Sequence, residues 1–343
     1  MTEKQWSTLK DVIHGTALSP IPVGFIVDSP WLPNWYGINI LDYFSNDDLW
    51  FNANMHAIRT FPEILFLPGF WSEYGMCSEP ASFGSVCSFP LNEFPHARKN
   101  ILSVEDIGRI SRPDPETDGL TPLMLNRLRL NRKRIEDNGH RIYFSVSRGP
   151  LNIASYLMGV SEFLTAMIMN PEEIHRLLDT ITEFLVDWHE LQRAAIPTID
   201  GILILDDIVG FIGETEFVTF GLPYLKRIFS REVSVRFFHN DADCRSSVKY
   251  LPEIGINLFN MGFDISLGEL RNLTGGKTTM LGNIPPRDVL AKGSQQEIEK
   301  AVKEMLGGLQ DSTGVILSCG GGMPPGVSTD NIRYFADAIT RLT

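Results

Sequence analysis

The chain is expected to fold as one (β/α)8 barrel of the TIM type, an α/β architecture. Eight short apolar runs rich in β-branched and aromatic residues recur along it, longer amphipathic stretches separate them, and no linker divides them. A length of 343 residues suits such a barrel, since α/β barrels run past roughly 250 residues without splitting into domains. The domain expected is therefore 1–343, with an N-terminal extension before the first strand.

In chain order the expected strands are Val23 to Val27, Ile64 to Leu67, Ile142 to Val146, Ile202 to Leu205, Val235 to Phe238, Leu258 to Met261, Thr279 to Leu281 and Val315 to Ser318. Most are continuously apolar, as parallel strands buried on both faces should be. The clearest helix starts at Asn170-Pro171-Glu172-Glu173: a cap, a first-turn proline and two acids suited to the helix dipole. Ile174, Leu177, Leu178, Ile181, Phe184, Leu185 and Trp188 then form one apolar stripe. Another follows Gly293-Ser294, with Ile298, Ala301, Val302 and Met305 on one face and Gly307-Gly308 as its stop. The segment from Pro68 to Asp118 is long and irregular, which assigns it to a binding loop over the barrel mouth.

Composition narrows the function classes. The chain is 43% hydrophobic and 21% charged, enough to bury a large core. No apolar run reaches the roughly 18 residues of a membrane helix, and the first twenty residues lack a secretory pattern, so no membrane role and a cytoplasmic location are expected. Cys77, Cys87, Cys244 and Cys319 are too scattered for a disulfide framework and read as thiols. A formal charge of −12 repels phosphate backbones, and the one basic stretch, Arg127 to Arg134, reads as a solvated helix face, so nucleic acid is not an expected partner.

Six stretches then carry a resemblance. They are Gly149-Pro150-Leu151 with Ala154-Ser155-Tyr156-Leu157-Met158-Gly159, Leu222-Pro223-Tyr224-Leu225-Lys226, His239, Leu281-Gly282-Asn283-Ile284-Pro285-Pro286, and Cys319-Gly320-Gly321-Gly322-Met323-Pro324-Pro325-Gly326. In order and spacing, from about Pro22 to the end, the chain resembles the uroporphyrinogen decarboxylase superfamily, which also contains corrinoid-dependent methyltransferases. The resemblance implies the same barrel. It leaves the reaction open, because one barrel hosts unrelated chemistries through its loops.

The branch is argued from site residues. The family's decarboxylases carry an arginine-bearing RQAGRY-like sequence after the first strand, whereas this chain reads Val27-Asp28-Ser29-Pro30-Trp31-Leu32-Pro33-Asn34-Trp35. A tetrapyrrole polyanion would lack its cationic clamp there. Asp28, Trp31, Trp35, Phe70, Trp71 and Tyr74 are instead expected to line an aromatic substrate pocket. The superfamily's methyltransferases bind zinc through a His-x-Cys pair and a distal cysteine. The resemblance therefore implies Zn2+ at His239 and Cys319, with Asp241 where the first cysteine stands and Cys244 as a substitute ligand. A carboxylate in place of a thiolate hardens the metal and suits it to polarising an oxygen.

The expectation is an O-demethylase component moving methyl from a small methoxylated aromatic to the Co(I) of a separate corrinoid protein, the cobalamin being supplied by that partner. Asp207, Asp206 or Glu79 would protonate the leaving oxygen, Asn283 would hydrogen-bond the substrate, and Gly320 to Gly322 would leave room for the bulky partner. The rival expectations are methyl transfer to a thiol, uroporphyrinogen decarboxylation, and a non-catalytic binding barrel.

Overall fold

The computed structural model describes residues 1–27 and 30–343. Eight strands form the barrel: β1 (Gly24–Ile26), β2 (Leu65–Leu67), β3 (Phe144–Arg148), β4 (Gly201–Leu205), β5 (Val235–Asn240), β6 (Leu258–Met261), β7 (Thr279–Ile284) and β8 (Val315–Cys319). Every barrel pairing is parallel; β3 to β8 pair in sequence order, and β1 pairs with β2. Bridges Val23–Leu317 and Ile26–Gly322 return β8 to β1. Each expected strand is present, with β3, β5 and β7 running further toward their carboxyl ends than the apolar runs suggest.

Among the described residues no ladder joins β2 to β3, and α1 (Glu3–Ile13) closes that seam. Thr2 and Gln5 cap it reciprocally, and its buried face carries Trp6, Leu9 and Val12. Trp6 stacks on Tyr143 at 4.6 Å and meets Phe144 edge-on, while the Gln5 amide donates to the carbonyls of Pro62 and Ile64 beside β2. The N-terminal extension thus plugs the amino-end floor of the barrel.

Around the barrel lie α2 (Asp47–Thr60), α3 (Thr121–Asp137), α4 (Pro150–Met158), α5 (Pro171–Ala195), α6 (Leu222–Phe229), α7 (Leu267–Thr274), α8 (Gln295–Gly307) and α9 (Thr329–Leu342). The α5 stripe is buried as the periodicity requires, but Asn170 makes no side-chain cap bond, so Pro171 and the two acids alone mark its start. At α8, Ser294 and Glu297 form a capping box. Arg127 departs from the solvated-face expectation for α3: it is buried, paired with Asp47 and stacked near Trp50 and Tyr74. Among the described residues no single helix is long and apolar enough to cross a membrane.

Side-chain alternation assigns the strand faces. Phe144 and Val146 of β3, Leu203 of β4, Val235 and Phe237 of β5, Leu258 of β6 and Leu281 of β7 join Trp6 in the interior cluster. Their neighbours Ile202, Ile204, Phe238, Phe259 and Met280 join the layer under the helices. On the outer face of β3, His189 of α5 bridges Ser145 (Nδ1, 2.8 Å) and Ser147 (Nε2, 2.9 Å).

Burial, helped by the charge of Arg231, pulls the His189 imidazolium down to about 3 from its usual 6.5. Because the folded value lies below the unfolded one, its contribution is whole above about 6.5 and is lost as pH falls toward 3. His189→Leu should cost about 1–3 kcal/mol at pH 7, since it leaves two hydroxyls without their partner. It should also flatten the acid dependence. Urea denaturation at pH 7 and pH 4.5 measures both, and parallel losses in wild type and variant would show that His189 carries none of the acid sensitivity.

Candidate active site at the barrel mouth

The first polar layer lies directly above the apolar interior. After Phe144 and Val146 the inward position on β3 is Arg148; after Val235 and Phe237 on β5 it is His239; after Leu258 on β6 it is Asn260. Past the end of β4 the same alternation turns Asp207 inward and Asp206 outward.

Asp206 is fully buried and braces the fold. Its carboxylate accepts the amides of Leu151 (2.9 Å) and Asn152 (3.0 Å) at the start of α4. A Cβ on Gly149 would collide with that carboxylate, which explains why glycine precedes Pro150. Burial pushes the Asp206 carboxyl up, and the Leu151, Asn152 and Ile208 amides oppose it. The proton-donor role expected of Asp206 is corrected to helix capping.

Asp207, His239 and Asp241 converge, with one donor atom of each within 4.8 Å of the others. Asn260 sets the imidazole tautomer. Its amide nitrogen donates to the Leu281 carbonyl (2.7 Å), so its oxygen is left to accept from His239 Nδ1 (2.8 Å). Nε2 then faces Asp207 Oδ1 at 3.5 Å. Two acceptors so placed need a proton or a cation between them. Asp207 Oδ1 also accepts the Asp241 amide (3.1 Å); burial pushes its carboxyl up, His239 opposing and the Asp241 charge adding to the rise. Nitrogen and oxygen donors with a fixed tautomer fit a divalent cation such as Zn2+.

Cys319 stands apart from this group. It follows Val315 and Leu317 on the face turned to the outer layer, and its thiol points at the Gly321 (3.7 Å) and Gly322 (4.0 Å) carbonyls. Cys244 is buried in that layer, where burial raises its thiol to about 12. The third donor beside His239 and Asp241 is thus the Asp207 carboxylate and not a thiolate. The glycine run also has another purpose than room for a partner: at Gly321, with φ of 82°, a Cβ would lie 2.6 Å from Asp241 Oδ2. A Cβ on Gly262 would strike the Asp241 carbonyl from the other side.

A cavity of about 330 Å³ opens beside these residues. Ile26, Trp71, Met76, Phe94, Tyr156, Leu205 and Met323 form its less polar walls, and Arg148 and Arg287 also reach it. Arg148 is buried between Glu73 (3.0 Å) and Glu79 (3.6 Å), and its amide donates to Glu79 (3.0 Å). Burial works against the guanidinium, but Glu79 and Glu73 outweigh it and hold Arg148 above the usual arginine range. Glu79 is raised by burial against the pull of Arg148, yet it lies behind Arg148 rather than on the cavity wall, which removes it as a direct proton donor. Tyr156 is on the wall, and burial raises its phenol to about 12 despite Arg148.

Of the expected aromatic residues, Trp71 lines this cavity. Trp31 is core: its indole donates to the Val327 carbonyl (3.0 Å) and stacks on Trp35, which donates to Thr329 (3.0 Å). Phe70 packs between Trp50 and Phe51. Tyr74 lies on a separate cavity of about 730 Å³ with Asp47 and Arg127. Asp28 lies outside the described residues. Asn283 is also corrected, because its amide braces the Gly262 (3.1 Å) and Ile265 (2.5 Å) carbonyls instead of facing substrate. Arg148, Tyr156, Asn260 and Arg287 escaped sequence reasoning, although alternation along β3 and β6 was a signal for Arg148 and Asn260.

Ionisable groups gathered at the carboxyl ends of parallel strands are how (β/α)8 barrels carry their chemistry. Residues 9–342 match the family described as Uroporphyrinogen decarboxylase (URO-D), and the chain belongs to that family. A uroporphyrinogen decarboxylase of Xylella fastidiosa is 26% identical over 77% of each chain. One of Colwellia psychrerythraea is 24% identical over 91% of this chain and 90% of its own. A structure described as a methyltransferase from Methanosarcina mazei superposes with a TM-score of 0.82 at 18% identity, covering 98% of both chains, a likeness of fold.

Two substitutions probe the site. Asn260→Ala frees the imidazole and should weaken divalent-metal binding about 10–100-fold. Gly321→Ala should displace Asp241 and act similarly. Titration with Co2+, followed by its visible spectrum, reads both, and unchanged affinity in both variants would remove His239 and Asp241 from the ligand set.

Proposed function

We propose that this protein is a methyltransferase that moves a methyl group from a small methoxylated aromatic to the Co(I) of a separate corrinoid protein. The observation that carries this reading is His239 Nε2 held 3.5 Å from Asp207, with Asp241 beside them, on the wall of a small and partly aromatic cavity.

Asp207, His239 and Asp241 would hold Zn2+, which when bound supplies a Lewis acid for the ether oxygen. Two carboxylates and an imidazole make a hard donor set, which favours an oxygen-bound methyl donor over a thiol acceptor. Trp71 and Phe94 give the arene apolar surface. Tyr156 keeps its proton at neutral pH and contributes the one side-chain hydroxyl among the described lining residues, so it can donate to the departing oxygen. The methyl–oxygen bond breaks with its electron pair left on oxygen. Co(I) supplies the pair for the new cobalt–carbon bond and becomes Co(III).

Uroporphyrinogen decarboxylation is the second reading, favoured by the names of the relatives. Against it stands the size of the cavity, near the low end of the roughly 300–1,000 Å³ of small-molecule sites. The charge is also unsuitable, because Arg148 is already neutralised by two glutamates and an octacarboxylate would carry uncompensated anions into the cleft.

Protein purified without a polyhistidine tag after growth with zinc should carry about one zinc per chain, and Asp207→Asn should lose it. Methoxyarenes should be demethylated only when cob(I)alamin or a reduced corrinoid protein is added, and uroporphyrinogen should be unchanged. Demethylation without corrinoid, or conversion of uroporphyrinogen, would refute the proposal. Preference for a methylated thiol or amine would keep a methyltransferase and remove the methoxyarene.

A further inference from the structure

Arg287 is a cation in the mouth cavity that no described residue neutralises. Among the described residues it makes no ion pair and no hydrogen bond, although it lines the cavity. Most of the chain's arginines behave otherwise: Arg127 is engaged by Asp47, Arg245 by Glu269, Arg271 by Asp311, and Arg148 by Glu73 and Glu79. Its position is also fixed, for it follows Pro285-Pro286 at the end of β7, in a helical turn (Pro286–Ala291) whose Leu290 is buried. The backbone is anchored while the exposed side chain stays available to an incoming molecule.

The charge distribution says what that molecule brings. Asp207 and Asp241 form one anionic pole, matched in charge by a divalent cation when one is held there. Arg148 and its glutamates form a second group with no positive charge to spare. Among the described lining residues only Arg287 presents unmatched positive charge, beside apolar walls that include Trp71, Phe94 and Tyr156. A planar guanidinium binds a carboxylate through paired hydrogen bonds, and an arginine without an acid of its own loses no partner in doing so.

We infer that Arg287 is a specificity-determining residue that recognises a carboxylate on the aromatic methyl donor, so that a methoxyarene carboxylate is preferred over its neutral counterpart. This rests on the methyl-transfer reading for the identity of the donor. The ring occupies the apolar walls, the methoxy group faces the Asp207–His239–Asp241 pole, and the carboxylate meets Arg287.

The test is equilibrium binding, independent of turnover. Calorimetric titration of the zinc-loaded full chain should show 4-methoxybenzoate binding about tenfold more tightly than 4-methoxybenzamide, the scale of a charge-assisted contact. Arg287→Gln should erase that preference and Arg287→Lys should restore part of it, with thermal melts unchanged because the side chain has no partner to lose. Equal binding of acid and amide to wild type, or a preference that survives Arg287→Gln, overturns the inference. Demethylation of neutral methoxybenzene with cob(I)alamin, run in parallel, separates the two claims: if it proceeds while the preference is absent, the methyltransferase stands and the role of Arg287 falls. If neither arene binds and neither is demethylated, both fall.

Discussion

A closed barrel of parallel strands offers one inward face per strand, and alternate residues must fill it. This constraint organises the molecule. Through the lower layers the inward positions are Phe144, Val146, Leu203, Val235, Phe237 and Leu258, and Trp6 of the N-terminal helix completes the floor. At the carboxyl ends the apolar supply stops, and the same two-residue step delivers Arg148, Asp207, His239 and Asn260 to one cavity wall or the shell behind it. Core and site are one series of residues read at different heights.

The adjacent acids Asp206 and Asp207 show how far alternation decides chemistry. They are adjacent in sequence, Asp206 fully buried and Asp207 half-buried, and both carboxyls are pushed up. Asp206 faces the helix layer, where the amides of α4 take its charge as the continuation of a helix dipole. Asp207 faces the cavity, where it meets an imidazole nitrogen and a second carboxylate. The first holds α4 against β4 and so positions Tyr156, which α4 carries to the cavity. The second is left facing the cavity.

The strands were legible because parallel strands covered on both faces leave continuous apolar runs, and α8 was legible because its caps are local. His239 and Asp241 could be found from the resemblance, and the structure brings them together. Trp71 reaches the cavity as expected, and the other aromatic residues lie elsewhere for a definite reason. The 68–118 segment and the 31–61 stretch have cores of their own to fill, and Trp31, Phe70 and Trp50 fill them. Sequence shows that a segment is rich in rings, but not which rings its own packing consumes. Cys319 was misread because a thiol at a strand end is equally a ligand and a small apolar side chain, and only the face it takes decides. The remaining donor of the cluster is Asp207, whose place at the end of β4 the sequence shows but whose approach to His239 it does not.

Arg148 carries the last step. A buried guanidinium with two buried carboxylates costs several kcal/mol of desolvation per ion, and replacing the group with apolar residues would often stabilise a fold. Its presence at the mouth is therefore better explained by what it does to the cavity. Glu73 and Glu79 enter from the long segment over the mouth, while Arg148 belongs to β3, so the pair of salt bridges ties that segment to the barrel wall. Trp71 and Met76 lie in the same segment and reach the cavity, and Pro95, next to Phe94, accepts the Met76 amide. The ion group thus sets the apolar walls relative to Asp207 and His239. It leaves the cavity's unmatched positive charge to Arg287 on the far side of the barrel sequence, and the two arginines divide between them the tasks of building the cleft and reading what enters it.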